Sequence, residues 1–302
     1  MGNYCTCLTN ENRQGEAIVE ENPISRLFSK RQGLEDLSYS TQSGDNFIRN
    51  SIVQSIKERL PAYIFNEENI PEGNFEKVNG GLFKGRRNAA GKKTGNGIFI
   101  WEDGSEYMGS WENDKQNGNG RKIEKNGDCY EGDFINSKPH GKGTMLYIDG
   151  SIYQGEWYDG NQHGFGTETW PDGAKYCGNY FNGKKHGKGN FVWGDKSMFV
   201  GDFNNNKIEG FGTYTWNDGR VFTGEWKDDK MHGYGEFTWP NGRLYKGHYE
   251  FDKKEGYGEF YWADGKIYKG QWKAGKQHGR GQLIDSTGKI KEAEWKFGKI
   301  LN

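Results

Sequence analysis

The chain has 302 residues, a net charge of −1 and a mean hydropathy of −1.04. Near-zero charge excludes a bulk electrostatic drive toward nucleic acid or an anionic membrane. No apolar run is long enough to cross a bilayer as a helix, and the N-terminus lacks the apolar core of a secretory signal. Such low hydropathy usually marks disorder, yet 11 Trp, 17 Tyr and 18 Phe recur at regular spacing among 48 Gly. That composition suits thin β-structure, with large rings on one face and glycines at turns and close approaches. The four cysteines, Cys5, Cys7, Cys129 and Cys177, form no disulfide framework and point to a reducing, intracellular compartment.

The N-terminal MGNYCTC places Gly2 and Thr6 in the pattern for N-myristoylation. The acyl chain joins the free α-amino group of a glycine, where a Cβ would block the approach. One myristoyl chain binds a membrane only marginally, so a second signal is expected. Cys5 and Cys7 supply thiols for palmitate, and the first ten residues carry no Lys or Arg to act instead. A Cys-x-Cys metal site is the rival reading, but no partner ligands stand nearby. Residues 1–44 are polar and mixed in charge and read as a flexible tether. Its one apolar cluster, Ile24, Leu27 and Phe28, sits beside Arg26, Lys30 and Arg31, a basic trio that either touches anionic lipid once the N-terminus is anchored or is simply a solvated face. Residues 45–61 predict one amphipathic helix. Ile48, Ile52, Ile56 and Leu60 fall four apart, Asp45 is the N-cap and Pro61 the stop. The stripe either caps the open end of the neighbouring repeat array or binds a partner as a calmodulin-type helix.

From residue 107 onward the sequence repeats every 23 residues, seen most cleanly as YQGEWYDGNQHGFGTETWPDGAK at 153–175. Full units begin at Tyr107, Tyr130, Tyr153, Tyr176, Phe199, Phe222, Tyr245 and Tyr268, without insertion or deletion, and span 107–290. Degenerate units flank them, around Phe83–Gly104 and Lys291–Trp295, so the array is placed at 83–299. In Tyr153-Gln-Gly-Glu-Trp157 the Tyr, Gly and Trp share one strand face, and Gln154 and Glu156 the other. About six residues later Gly164–Trp170 predicts a second strand, and Asp172-Gly173 the turn into the next unit. Each unit is thus a β-hairpin, and the array an all-β, elongated, single-layer antiparallel meander. Trp170, Trp193, Trp216, Trp239 and Trp262 form one column, and Phe191, Tyr214, Phe237 and Phe260 another on the same face.

Tyr-x-Gly-x-Trp-x-x-Gly-x-x-His-Gly-x-Gly resembles the signature of MORN repeats (membrane occupation and recognition nexus). Departures are mild: Asn117, Glu209 and Glu255 replace the His, and Phe134, Tyr180, Phe203 and Tyr249 the first-strand Trp. The resemblance implies a curved, grooved single-layer sheet used for scaffolding and membrane-associated assembly. It also implies contexts such as ciliary and cytoskeletal structures or appendages of lipid kinases and methyltransferases.

Five histidines, His140, His163, His186, His232 and His278, share one repeat position, which invites a metal ladder. Equivalent positions lie two strands apart, about 10 Å, whereas zinc ligands sit about 2 Å from the metal, so no metal is expected and the histidines read as turn residues. No P-loop, Gly-x-Ser-x-Gly or kinase signature occurs, and the Gly-x-Gly belongs to the hairpin. The few residues after the last unit leave no room for a methyltransferase or kinase domain. No enzymatic activity, cofactor or nucleic-acid partner is expected. The aromatic groove formed by the two columns is either packing or a docking surface for a helix or extended peptide, with phospholipid as a further candidate. The expected function is a non-catalytic scaffold at the cytoplasmic face of a plasma or other membrane, held there by acylated Gly2, Cys5 and Cys7. The alternatives are a soluble structural subunit of a ciliary or cytoskeletal assembly and a regulatory partner of a lipid kinase.

Overall fold

The computed structural model describes residues 70–301 apart from Glu72. The candidate acylation sites Gly2, Cys5 and Cys7, the tether 1–44 and the expected helix 45–61 lie outside the described residues. The chain divides into two compact units, 1–161 and 162–302. The first holds β1 (Glu76–Val78), β2 (Gly81–Arg87), β3 (Lys93–Trp101), β4 (Glu106–Glu112), β5 (Lys115–Ile123), β6 (Cys129–Ile135), β7 (Lys138–Leu146) and β8 (Ile152–Tyr158). The second holds β9 (Asn161–Thr169), β10 (Lys175–Phe181), β11 (Lys184–Val192), β12 (Met198–Asn204), β13 (Lys207–Thr215), β14 (Val221–Lys227) and β15 (Lys230–Thr238). It continues with β16 (Leu244–Glu250), β17 (Lys253–Tyr261), β18 (Ile267–Lys273), β19 (Lys276–Ile284), β20 (Ile290–Lys296) and β21 (Lys299–Leu301). Within each unit every strand pairs antiparallel with the next in sequence, the expected meander.

A single layer has no opposing sheet or helix to bury its apolar side chains, so the rings must bury one another. The first aromatic of each full unit does this most completely. Tyr107, Tyr153, Tyr176, Phe199, Phe222, Tyr245 and Tyr268 are all 0% exposed. Each lies over the paired glycines of its own hairpin. Gly224 opposes Gly235, and a Cβ on Gly224 would come within 2.5 Å of the Gly235 Cα and 2.8 Å of the Phe222 ring. Tyr107, Tyr176, Phe199, Phe222, Tyr245 and Tyr268 each also meet two first-strand rings edge-on. Phe222 touches Trp226 of its own strand and Tyr249 of the next unit, both at 5.2 Å; Tyr245 likewise touches Tyr249 at 5.2 Å and Trp272 at 5.3 Å. Edge-to-face pairs at this spacing contribute roughly 0.5–1.5 kcal/mol each beyond the area they bury. Trp226 and Trp272 lock the arrangement further by donating Nε1–H to the carbonyls of Gly212 (3.2 Å) and Gly258 (3.1 Å).

The hairpin turns are shorter than the sequence suggests. In the unit that opens at Phe222 the second strand starts at Lys230 and ends at Thr238, so only Asp228 and Asp229 connect it to the first. Both adopt left-handed φ, 48° and 63°, the geometry of a two-residue turn that matches strand twist. The surplus residues are absorbed by a β-bulge after each glycine pair. Gly224 pairs with Gly235, then Trp226 with Met231, so Glu225 alone faces His232, Gly233 and Tyr234. The bulge frees an amide, and the acidic residue opposite takes it: Tyr234 N–H donates to Glu225 Oε1 and Phe211 N–H to Asp202 Oδ2, both at 3.1 Å. The recurring acids on the reverse face thus serve the backbone. The histidines, expected in turns, are strand residues instead. His232 and His278 each lie tilted against an aromatic ring in the next hairpin's turn, Phe251 at 4.9 Å and Phe297 at 4.8 Å. Trp170, expected to end a strand, lies in the turn after β9: its N–H donates to the Ala174 carbonyl and its own carbonyl accepts from Gly173. The turn aspartates, Asp149 and Asp195 among them, accept from the Ser151 and Ser197 hydroxyls and amides, which holds their carboxyls below the usual range.

Candidate functional site

Two ring columns run along the second unit and interleave into one file: Trp170, Phe191, Trp193, Tyr214, Trp216, Phe237, Trp239, Phe260 and Trp262. Successive ring centroids lie 4.3 to 5.7 Å apart. The file flanks the buried first-strand rings, with Phe191 at 6.1 Å from Tyr176 and Phe237 at 6.4 Å from Phe222. Phe237 and Phe260 are themselves buried, at 6% and 7% exposure, and act as packing. Trp170, Trp193, Trp216, Trp239 and Trp262 are half-buried and present ring surface to solvent. In the first unit the equivalent positions hold Phe99, Trp101, Lys122, Glu124, Met145 and Tyr147, so there the file starts and lapses. Between Phe260, Trp262 and Trp272 a cavity of about 210 Å³ opens, also lined by Gly275, Lys276, Gln277 and Gly298.

Charge enters the stripe at two lysines. Lys185 Nζ lies 4.9 Å from the Trp170 ring, 5.1 Å from Tyr176, 5.6 Å from Tyr180 and 5.8 Å from Phe191. Its counter-ion is built in: Glu168 Oε2 stands 2.9 Å away and also accepts from the Tyr180 hydroxyl at 3.0 Å. Glu168 occupies the position that Phe191, Tyr214, Phe237 and Phe260 fill in later units. Lys254 sits in the same kind of cage, its Nζ 5.3 Å from Trp239, 4.7 Å from Tyr245, 4.5 Å from Phe260 and 4.8 Å from Trp272. Burial among these rings, and then the nearby Arg243, push its ammonium down to about 8 from an ordinary 10.5. Arg243 lies 5.2 Å from the Trp239 ring. Its Nε donates to the neutral Asn241 Oδ1, whereas Arg220 and Lys266, one unit either side, pair with Asp218 and Asp264.

The expected groove residues therefore come together as one stripe. Sequence reading missed Glu168, Lys185, Arg243 and Lys254. The signal for them was present as departures from the repeat: an acid in an aromatic column, and lysines where neighbouring units carry Ile208, Met231 or Gln277. Among the described residues, no three His, Cys, Asp or Glu side chains are placed to share a metal ion.

The family model for the MORN repeat matches nine segments: 89–106, 107–129, 130–152, 153–175, 176–198, 199–219, 222–242, 245–267 and 268–290. The chain belongs to the MORN-repeat family. Eight of the segments start at the eight full units, and the first, 89–106, falls in the degenerate region upstream of Tyr107. No curated protein sequence matches the chain. Among solved structures, the chain is similar to the wild-type TCP10 domain of Danio rerio CPAP. Identity is 12% and the TM-score 0.35, over 71% of this chain and 96% of that one. It is also similar to the TCP domain of Drosophila melanogaster SAS-4, solved with a proline-rich motif of Ana2. Identity there is 14% and the TM-score 0.34, over 63% of this chain and 99% of that one. TM-scores this low carry no inference for this chain.

Proposed function

We propose that this MORN protein is a non-catalytic, lipid-anchored scaffold that seats a helix or extended peptide of a partner protein on its aromatic stripe. The observation that carries the reading is the file of nine rings from Trp170 to Trp262, whose five tryptophans stay half-exposed instead of being covered by a second layer of described residues. A MORN array suggests a scaffold for membrane or protein partners, and half-exposed rings in a row offer rigid contact area with little side-chain entropy to lose. Asp202 and Glu225 are taken up by bulge amides and His232 lies against Phe251, which supports the non-catalytic reading.

The anchor is the second half of the proposal: myristate on Gly2 with palmitate on Cys5 and/or Cys7 holds the scaffold at the cytoplasmic face of a membrane. Membrane fractionation of wild type against Gly2→Ala tests it. Wild type is expected in the membrane fraction and the variant in the soluble one; equal retention of both discards the acyl anchor. Docking is tested separately by proximity labelling of the full chain with and without Trp193→Ser and Trp216→Ser. The same labelled neighbours in both would remove the stripe as the docking surface.

A further inference from the structure

The second unit contains its own control for what a lysine on the stripe needs. Lys185 and Lys254 are three repeat units apart, and three rings of each cage correspond: Trp170 with Trp239, Tyr176 with Tyr245, Phe191 with Phe260; the fourth differs, Tyr180 for the first lysine and Trp272 for the second. The earlier lysine is neutralised by Glu168. Three units on, that position is Phe237, which brings no charge. A second carboxylate is missing from the same place. The turn residue that is aspartate in the units before and after is Asn241 here, so Arg243 loses the partner that Arg220 has in Asp218 and Lys266 in Asp264. Two cations thus lie within 5.3 Å of one ring, Trp239, and neither forms an ion pair with any described carboxylate.

A desolvated ammonium held only by ring quadrupoles is less well compensated than one with an anion against it. The desolvation of Lys254 is already incurred in the folded protein, and Arg243 is already stacked, so an arriving carboxylate meets donors that need little rearrangement. The flanking half-exposed Trp239 and Trp262 and the cavity beside Phe260 and Trp272 give the neighbours of that carboxylate apolar surface. We infer that the stripe around Trp239 is a subsite for an acidic side chain of a peptide segment, its carboxylate held by Lys254 and Arg243 and its apolar neighbours laid on the rings. This rests on the docking reading above and adds to it where along the stripe the charge must fall.

The full-length protein, immobilised, is panned against a random twelve-residue peptide library displayed on phage. Enriched peptides are expected to carry Glu or Asp beside aliphatic, aromatic or proline residues. Three substitutions borrow side chains that other repeats hold at the same position: Phe237→Glu copies Glu168, Lys254→Met copies Met231, and Asn241→Asp copies Asp218. Their thermal unfolding is compared with wild type first. Panning on Phe237→Glu is expected to lose the acidic preference and keep the apolar one. A synthetic enriched peptide is expected to weaken about 30-fold or more on Lys254→Met, or when its own Glu becomes Gln, as for truncation of one member of a buried charge pair. Asn241→Asp is expected to weaken it less, because only Arg243 is diverted. Enriched peptides without acids would overturn the subsite while leaving docking intact; no enriched peptides at all would overturn docking itself. Acidic peptides that bind equally to wild type, Phe237→Glu and Lys254→Met would place the carboxylate elsewhere and also overturn it. So would sedimentation with phosphatidylserine–phosphatidylcholine vesicles that depends on Lys254 when no peptide binds.

Discussion

At the scale of single residues, the repeat is a set of steric and conformational demands, each met by a particular side chain. The clearest is the glycine pair under each buried ring. Gly224 has an ordinary strand conformation, so Gly224→Ala tests packing alone. Its new Cβ would press on the Gly235 Cα, the Tyr234 carbonyl and the Phe222 ring, at 2.5, 2.7 and 2.8 Å, mostly against backbone that cannot step aside. Destabilisation of about 1–3 kcal/mol or more is expected, read as a drop in the thermal midpoint by circular dichroism. The turn residues make the opposite demand. Ala274 is held at φ 50°, at a turn position where Asn113, Asn136, Asp159, Asn182, Asn205 and Asp228 stand in earlier units. Ala274→Asn, with a side chain that tolerates this region, is expected to raise the midpoint by the equivalent of about 0.5–1 kcal/mol. No change, or a fall, would show that the turn is relaxed in solution. Both demands were visible in the sequence as invariant spacing of Gly and as Asn/Asp-rich turns. The particular atoms a Cβ would meet were not, because they come from the ring two residues earlier and from the strand opposite.

At the scale of the element, one hairpin combines a flat register on one side with a bulge on the other. The bulge explains why a sequence reading misplaces the second strand by three residues and the histidine into a turn. Periodicity of two breaks at a bulge, and the break looks like a loop until the opposing strand fixes the register. The same element carries Lys254, whose behaviour with pH is set by its cage. Its folded value is about 8, against 10.5 unfolded. Below 8 both states hold the proton, and the folded state bears a desolvated charge. Between 8 and 10.5 the folded state releases it while the unfolded state keeps it, so the unfolded state binds more protons and stability rises with pH. Burial raises the phenols of Tyr245 and Tyr249 clear of this window. Chemical denaturation at pH 7 and pH 9.5 is expected to show wild type gaining stability relative to Lys254→Met, by at most about 3 kcal/mol. Parallel pH profiles for the two proteins would mean that the ammonium is solvated.

At the scale of the molecule, each compact unit is a chain of nearest-neighbour contacts. Every first-strand ring touches its own hairpin and the next, and strands pair only with their neighbours in sequence. Such arrays sum their stability from repeat and interface terms. Excision of 222–244, one whole period, joins Val221 to Tyr245 in phase and is expected to leave the β-sheet signal per residue unchanged, with a modestly lower midpoint. Excision of 222–243, one residue fewer, turns every later side chain to the wrong face and is expected to unfold the strands C-terminal to the junction. Similar melts for the two deletions would refute a register set by the 23-residue period.

The sequence alone determined the period, the hairpin as the unit, the family and the column of rings, because each is a statement about spacing, and a strand turns spacing directly into a face. It also placed the candidate acylation sites Gly2, Cys5 and Cys7, which need no fold to be read. Only the tertiary structure decided which rings are packing and which are surface, as between Phe237 and Trp239, because burial depends on the neighbouring hairpin. It alone decided that the acids serve the bulge amides. And it alone distinguished Lys185 from Lys254, two lysines with the same place in the repeat, because the carboxylate that neutralises one comes from a residue 17 positions earlier in the chain, brought alongside by strand pairing, where the other finds Phe237.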